Sequence, residues 1–265
     1  MQLKIPKKKS KTEIIKFFKK IGLASLTLLE RKPLKVNTLV DKKAFSPELI
    51  DLYRLYSFIT LNKRTTVLEF GSGWSSLVLF YALCELKSKF SEEIKNLRRN
   101  NPFELFIIDN EKKFLNISRK RIEIYSKKIK KKNSIKVNYN FSDVYMTEFN
   151  GRIATSYKKL PRCNPDFIYL DGPDQFKVKK SVQGVSTRHK DMMPMVCDLI
   201  KFEYFFTPGT IILTDGRGAN AKFLKDQFKR KWKYIHDKTH DQHIFHLIDD
   251  PIGKYNQRQI NFYQK

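Results

Sequence analysis

The segment Val67-Leu68-Glu69-Phe70-Gly71-Ser72-Gly73-Trp74-Ser75-Ser76 has the residue types of a ligand-binding turn: an apolar run, two glycines, then a helical pattern. Glycine lets the backbone approach a ligand closely, and a helix start offers unpaired N–H groups at its positive dipole end. A dinucleotide site would want a third glycine and an acid about 20 positions on for the ribose. Here Ser76 stands where that glycine would be, and the acid ending the next strand, Asp109, lies 109 − 69 = 40 positions beyond Glu69. Glu69 precedes the turn, where it would repel a pyrophosphate, so it suits a cofactor carrying a free amino group. Trp74 reads as a packing residue.

Acidic residues recur at the expected ends of later strands: Asp109-Asn110 after Phe106-Ile107-Ile108, the pair Ser142-Asp143, Asp171 in Asp171-Gly172-Pro173, and Asp215. Taken in order with Glu69, Gly71 and Gly73, these motifs resemble those of class I S-adenosylmethionine-dependent methyltransferases, over about residues 61–248. The resemblance implies S-adenosylmethionine as cofactor. Gly71, Ser72 and Gly73 would lie under its methionine part, and Glu69 would place the ammonium group. Asp109, with Asn110 beside it, would accept from the ribose hydroxyls, and Ser142-Asp143 would meet the adenine amino group. The Asp171-Gly-Pro and Asp215 arrangement also resembles the macrocin-type sugar O-methyltransferases, which implies a magnesium ion on Asp171 and Asp215. Gly216 departs from that pattern, because it replaces the second of two adjacent acids.

Open α/β sheets bind ligands beyond the carboxyl ends of their strands, so the acceptor is expected near Asp171 and Asp215, under the polar loop 174–191. A hydroxyl acceptor needs a base to take its proton, and Asp171 and His189 are the candidates. A lone loop histidine is also what an ordinary solvated side chain looks like. His236, His240, His243 and His246 are expected on a hairpin, at the surface and away from the ligand edge.

To position these residues the chain must alternate strands and helices. Strands are expected at 65–70, 105–109, 135–139, 166–171 and 210–215, and helices at 75–87, 111–128, 191–206 and 219–230. Runs 234–237 and 243–248 should form an antiparallel pair. Ahead of them, residues 11–29 read as an amphipathic helix broken at Arg31-Lys-Pro33, and a second helix starts at Ser46-Pro47-Glu48, with Ser46 as cap. The fold class is α/β: a doubly wound, mostly parallel seven-stranded sheet with a C-terminal antiparallel hairpin and an N-terminal helical extension. The divisions are 1–62 for the extension, 63–250 for the cofactor-binding domain and 251–265 for a tail.

Composition sets the outer bounds. The 265 residues carry 53 Lys and Arg against 27 Asp and Glu, a net charge of +26. That field draws anions, although codon bias toward Lys, Asn and Ile would produce it with no ligand involved. Three scattered cysteines (Cys84, Cys163, Cys197) give neither a disulfide framework nor a zinc motif, which points to a reducing, cytoplasmic compartment. No stretch is apolar for long enough to cross a bilayer; the basic N-terminal helix leaves peripheral membrane contact open. The reading is a methyltransferase acting on the hydroxyl of a sugar, glycan or other small polar acceptor. RNA methylation is the alternative, prompted by the charge, and a non-catalytic basic binding protein on the same fold is the third.

Overall fold

A computed structural model describes residues 1–29, 46–127, 129–189 and 191–265. Helix α1 (Lys11–Lys20) opens on a capping box in which Ser10 and Glu13 satisfy each other's backbone N–H groups. It stops well before residue 29, because Gly22 turns the chain at φ +82° and a short 3₁₀ turn, Ala24–Leu28, follows. The break expected at Arg31-Lys-Pro33 lies outside the described residues. The apolar face of α1, with Ile14 and Phe18, is buried, and Phe17 meets Tyr53 and Tyr56 edge-on. Only its charged face remains outward. Helix α2 (Leu49–Leu61) begins later than Ser46, with Glu48 as its cap residue, since Leu49 and Leu52 are the first residues its apolar face can bury.

The chain then runs through β1 (Thr66–Phe70), α3 (Trp74–Ile94), β2 (Glu104–Asp109), α4 (Lys112–Ser126), β3 (Lys136–Phe141), β4 (Val144–Phe149), β5 (Arg152–Tyr157), β6 (Phe167–Leu170), β7 (Val178–Lys179), α5 (Asp198–Lys201), β8 (Ile211–Asp215), α6 (Gly218–Gln227) and β9 (Trp232–Asp237). β10 (Gln242–Leu247) and α7 (Lys254–Gln264) follow. The seven-stranded sheet runs β3-β2-β1-β6-β8-β10-β9. Its first five strands are parallel, and β10 is antiparallel to both β8 and β9, as the sequence pattern predicts.

Alternate residues of the central strands feed opposite cores, as the two-residue period requires. Val67, Leu105, Phe167 and Leu213 face α1–α4 and α7; Leu68, Phe106, Ile168 and Ile212 face α5, α6 and a small second sheet. That second sheet, β5-β4-β7, was not expected. Its hairpin turns at Asn150-Gly151, both at positive φ, with Phe149 paired to Arg152. Asn-Gly between two strands favours this kind of two-residue turn. Nor is 191–206 one helix. Pro194 disfavours helical backbone at the residue before it, and only Asp198–Lys201 and a 3₁₀ turn, Glu203–Phe205, form. The segment read as a tail contains α7, whose Tyr263 donates a hydrogen bond to buried Asp166 at 3.0 Å.

Candidate active site

A cleft of about 600 Å³ opens at the carboxyl ends of β1, β2, β6 and β8, where the strand order reverses between β1 and β6. Its floor is a close approach of two turns. Gly71 sits at φ +93°, and a Cβ on Gly172 would lie only 2.5 Å from the Gly71 nitrogen. Both positions must be glycine for β1 and β6 to end side by side.

Glu69 does not line the cleft. It is fully buried beneath the turn, where its carboxylate oxygens accept from Ser75 Oγ at 2.5 Å and Ser76 Oγ at 2.6 Å. Ser76 Oγ in turn accepts from the Gly73 N–H at 3.2 Å, so this serine, where a dinucleotide site has glycine, ties the loop to the start of α3. Burial pushes the Glu69 carboxyl up to about 8 against the pull of those two hydroxyls. Its geometry is that of a scaffold for the turn rather than of a direct ligand.

Asp109 does face the cleft. Ser72 Oγ donates to one of its oxygens and the Glu111 N–H to the other, at 2.8 Å, which fixes the carboxylate with lone pairs to spare. Burial raises it to about 6, and those donors oppose the rise. Gly71, Ser72 and Gly73 line the cleft as well. Asn110 instead clamps the loop after β6, exchanging hydrogen bonds with the Asp174 backbone at 2.8 and 3.0 Å. Ser142 accepts from the Lys159 N–H at 2.9 Å, and Asp143 pairs with Lys179 at 2.8 Å; neither lines the cleft.

Trp74 carries more than packing. The Arg121 guanidinium lies 3.6 Å above its ring, both residues line the cleft, and Arg121 Nη1 is buried without a hydrogen-bond partner. The remaining charges are mostly acidic: Glu48, Asp51, Asp109, Asp171, Asp174, Asp215 and Asp241, against Arg121 and Arg217. A chain of net charge +26 therefore keeps its basic surplus outside the cleft. Burial, reinforced by mutual repulsion, raises Asp51 and Asp215 well above the ordinary carboxylate range.

The expected bases fare differently. Asp171 lines the cleft but is already met by Arg217, whose Nε lies 3.5 Å from Oδ1. His189 sits on the exposed loop, outside the cleft, where its Nδ1 accepts from the Asp191 N–H at 3.2 Å. Of the hairpin histidines His236 is exposed, as expected, and the other three are not. His243 and His246 are buried, and His240 lines the cleft. The reason is topological: β10 runs antiparallel, Gln242 pairs with Asp215, and the turn before it lands on the ligand edge. There His240 Nδ1 lies 3.0 Å from Asp237 Oδ2, and Arg54 Nη2 lies 2.6 Å from the same oxygen.

No protein-family profile matches the chain, and no curated protein sequence is significantly similar to it. Among solved structures, the O-methyltransferase from Bacillus cereus, solved with SAH, is 13% identical over 92% of this chain and 93% of that one, at a TM-score of 0.39. TomG from Streptomyces achromogenes, an O-methyltransferase of tomaymycin synthesis solved with SAM, is 11% identical over 94% of this chain and 93% of that one, also at 0.39. At so remote a likeness the chemistry has to be argued from the site itself.

Proposed function

We propose that the cleft binds S-adenosylmethionine and directs methyl transfer to a hydroxyl of a small polar acceptor, a sugar or glycan being the acceptor class favoured by the sequence motifs. The observation that carries this reading is Asp109, a carboxylate fixed by Ser72 and Glu111 at the end of β2 and turned into the cleft beside the Gly71 turn. It can accept from two vicinal hydroxyls at once.

The residues present fit this cofactor. The Arg121 guanidinium on the cleft lining suits the carboxylate of an amino-acid tail, and the acidic lining suits a ligand bearing a sulfonium and an ammonium. The same lining repels the pyrophosphate of a dinucleotide. When bound, the cofactor supplies an electrophilic methyl group. The chain's own contribution is to seat the ribose on Asp109, hold the tail at Arg121 and align the acceptor against the far wall.

A magnesium ion does not fit equally well. Among the described residues, no group of three His, Cys, Asp or Glu ligand atoms that includes Asp171 or Asp215 converges within 4.8 Å. RNA is likewise disfavoured as acceptor, since a polyanion would enter a cleft lined by seven acidic side chains and two arginines. Among the described residues no helix is long and apolar enough to cross a membrane.

The direct test is incubation of the purified protein with methyl-labelled S-adenosylmethionine and a panel of monosaccharides, glycans, phenols and RNA, followed by mass spectrometry. Labelled ether product on a small hydroxyl acceptor supports the reading; label confined to RNA overturns the acceptor class.

A further inference from the structure

Three features of the β9–β10 hairpin converge on one atom. First, the hairpin brings His240 to the cleft wall that also carries Asp171, Asp215 and Arg217. Second, Asp237 is a carboxylate aimed at the imidazole: Oδ2 lies 3.0 Å from Nδ1. The side chain of His240 is 9% exposed and that of Asp237 19%, so the contact is shielded from bulk water. Third, Arg54, itself buried, binds the same oxygen at 2.6 Å while its Nε donates to Gln242 Oε1 at 2.7 Å. Against the cost of burial, the hydrogen bond from His240 and the charge of Arg54 hold Asp237 below the ordinary carboxylate range. An ionised Asp237 has no proton to give, so Nδ1 carries the proton, and the neutral form of the ring has its lone pair at Nε2.

From this geometry we infer that His240 is the general base of the reaction proposed above, with Asp237 and Arg54 as its positioning residues. The inference rests on the methyl-transfer reading. In the step, the acceptor's O–H proton passes to His240 Nε2, and the oxygen's electron pair forms the bond to the methyl carbon of S-adenosylmethionine. The carbon–sulfur bond breaks with its pair going to sulfur, which leaves S-adenosylhomocysteine, the methyl ether and an imidazolium. The imidazolium then returns its proton to solvent. Asp237 stabilises the imidazolium charge and fixes the tautomer, and Arg54 keeps Asp237 ionised and oriented. Asp171, by contrast, shares its lone pairs with Arg217, whose Nε lies 3.5 Å from Oδ1.

The experiment compares wild type, His240→Gln and Asp237→Asn with a panel of monosaccharides and phenols as probe acceptors, alongside calorimetry with S-adenosylhomocysteine. His240→Gln should lower kcat by roughly 10²- to 10⁴-fold, with KM and cofactor affinity within about twofold of wild type. Asp237→Asn should lose activity in the same direction, because an asparagine amide can donate to Nδ1 and favour the wrong tautomer. Wild-type kcat in His240→Gln, in a preparation whose wild type is active, overturns this inference and leaves the methyl-transfer reading standing. A wild type that binds no cofactor removes both. Should none of the probe acceptors be methylated, the nitrogen-15 NMR spectrum decides. A His240 ring protonated at Nδ1 and bare at Nε2, with that pattern lost in Asp237→Asn, supports the base; a bare Nδ1 overturns it.

Discussion

Replacing Gly172 with alanine tests the floor of the cleft. The added Cβ would lie 2.5 Å from the Gly71 nitrogen and 2.8 Å from its Cα, whereas ordinary contact begins near 3.4 Å. Relief therefore requires a shift of 3.4 − 2.5 = 0.9 Å between two backbone segments. Neither can yield easily, because β1 and β6 lie side by side in the sheet's interior and Asp171 N–H donates to the Phe70 carbonyl at 2.9 Å. Overpacking of this kind costs about 3 kcal/mol or more. For a domain of this size that corresponds to a fall in Tm of roughly 6–12 °C. Gly216→Ala is the matched control: its φ of +59° strains any side chain, yet a Cβ there meets nothing within 4 Å. It should cost only roughly 1–2 kcal/mol. Thermal unfolding followed by circular dichroism gives both numbers, and calorimetry with S-adenosylhomocysteine should show binding weakened far more in Gly172→Ala. A Gly172→Ala protein as stable as Gly216→Ala would refute the close approach of the two turns.

Glu69→Gln should change how stability depends on pH. The folded-state carboxyl is raised from 4.5 to about 8, so its contribution is complete below about pH 4.5 and is lost as pH rises through 8. The wild-type Tm should fall relative to Glu69→Gln between pH 5 and 9; parallel curves would show that Glu69 titrates normally. Because burial raises Asp109 to about 6, cofactor affinity should weaken about tenfold per pH unit below 6, and Asp109→Asn should bind weakly with little pH dependence by calorimetry. Tyr263→Phe removes a buried hydrogen bond to a charged acceptor, so chemical denaturation should show a loss of about 1.5–3 kcal/mol; an unchanged midpoint would mean α7 is not anchored through Asp166.

The strand–turn–helix of β1 and α3, the parallel order and the terminal hairpin were legible because each rests on local chemistry: apolar runs, glycines and spacing. Other features depended on partners distant in sequence. Glu69 was legible as an acid before the turn, but Ser75 and Ser76, which bury it, became meaningful only when α3 folded back over it. Ser142-Asp143 matched a motif, yet Lys179 on β7 takes the carboxylate away from the cleft. His240 was misplaced for a topological reason, since the antiparallel turn of β9 and β10 reverses the direction in which the hairpin points. Two features do carry local signals: Asn150-Gly151 for the β4–β5 hairpin, and Pro194, which disfavours one continuous helix over 191–206.

The central claim is that this cleft is built for S-adenosylmethionine, and isothermal calorimetry of the full chain tests it directly. Wild type should bind S-adenosylmethionine and S-adenosylhomocysteine at one site and show no heat with NAD, whose pyrophosphate meets the acidic lining. Asp109→Ala should weaken that binding by two ribose hydrogen bonds to a carboxylate, each worth roughly 1.5–3 kcal/mol. Saturable binding of NAD, or no binding of S-adenosylmethionine by a folded wild-type protein, would contradict the account.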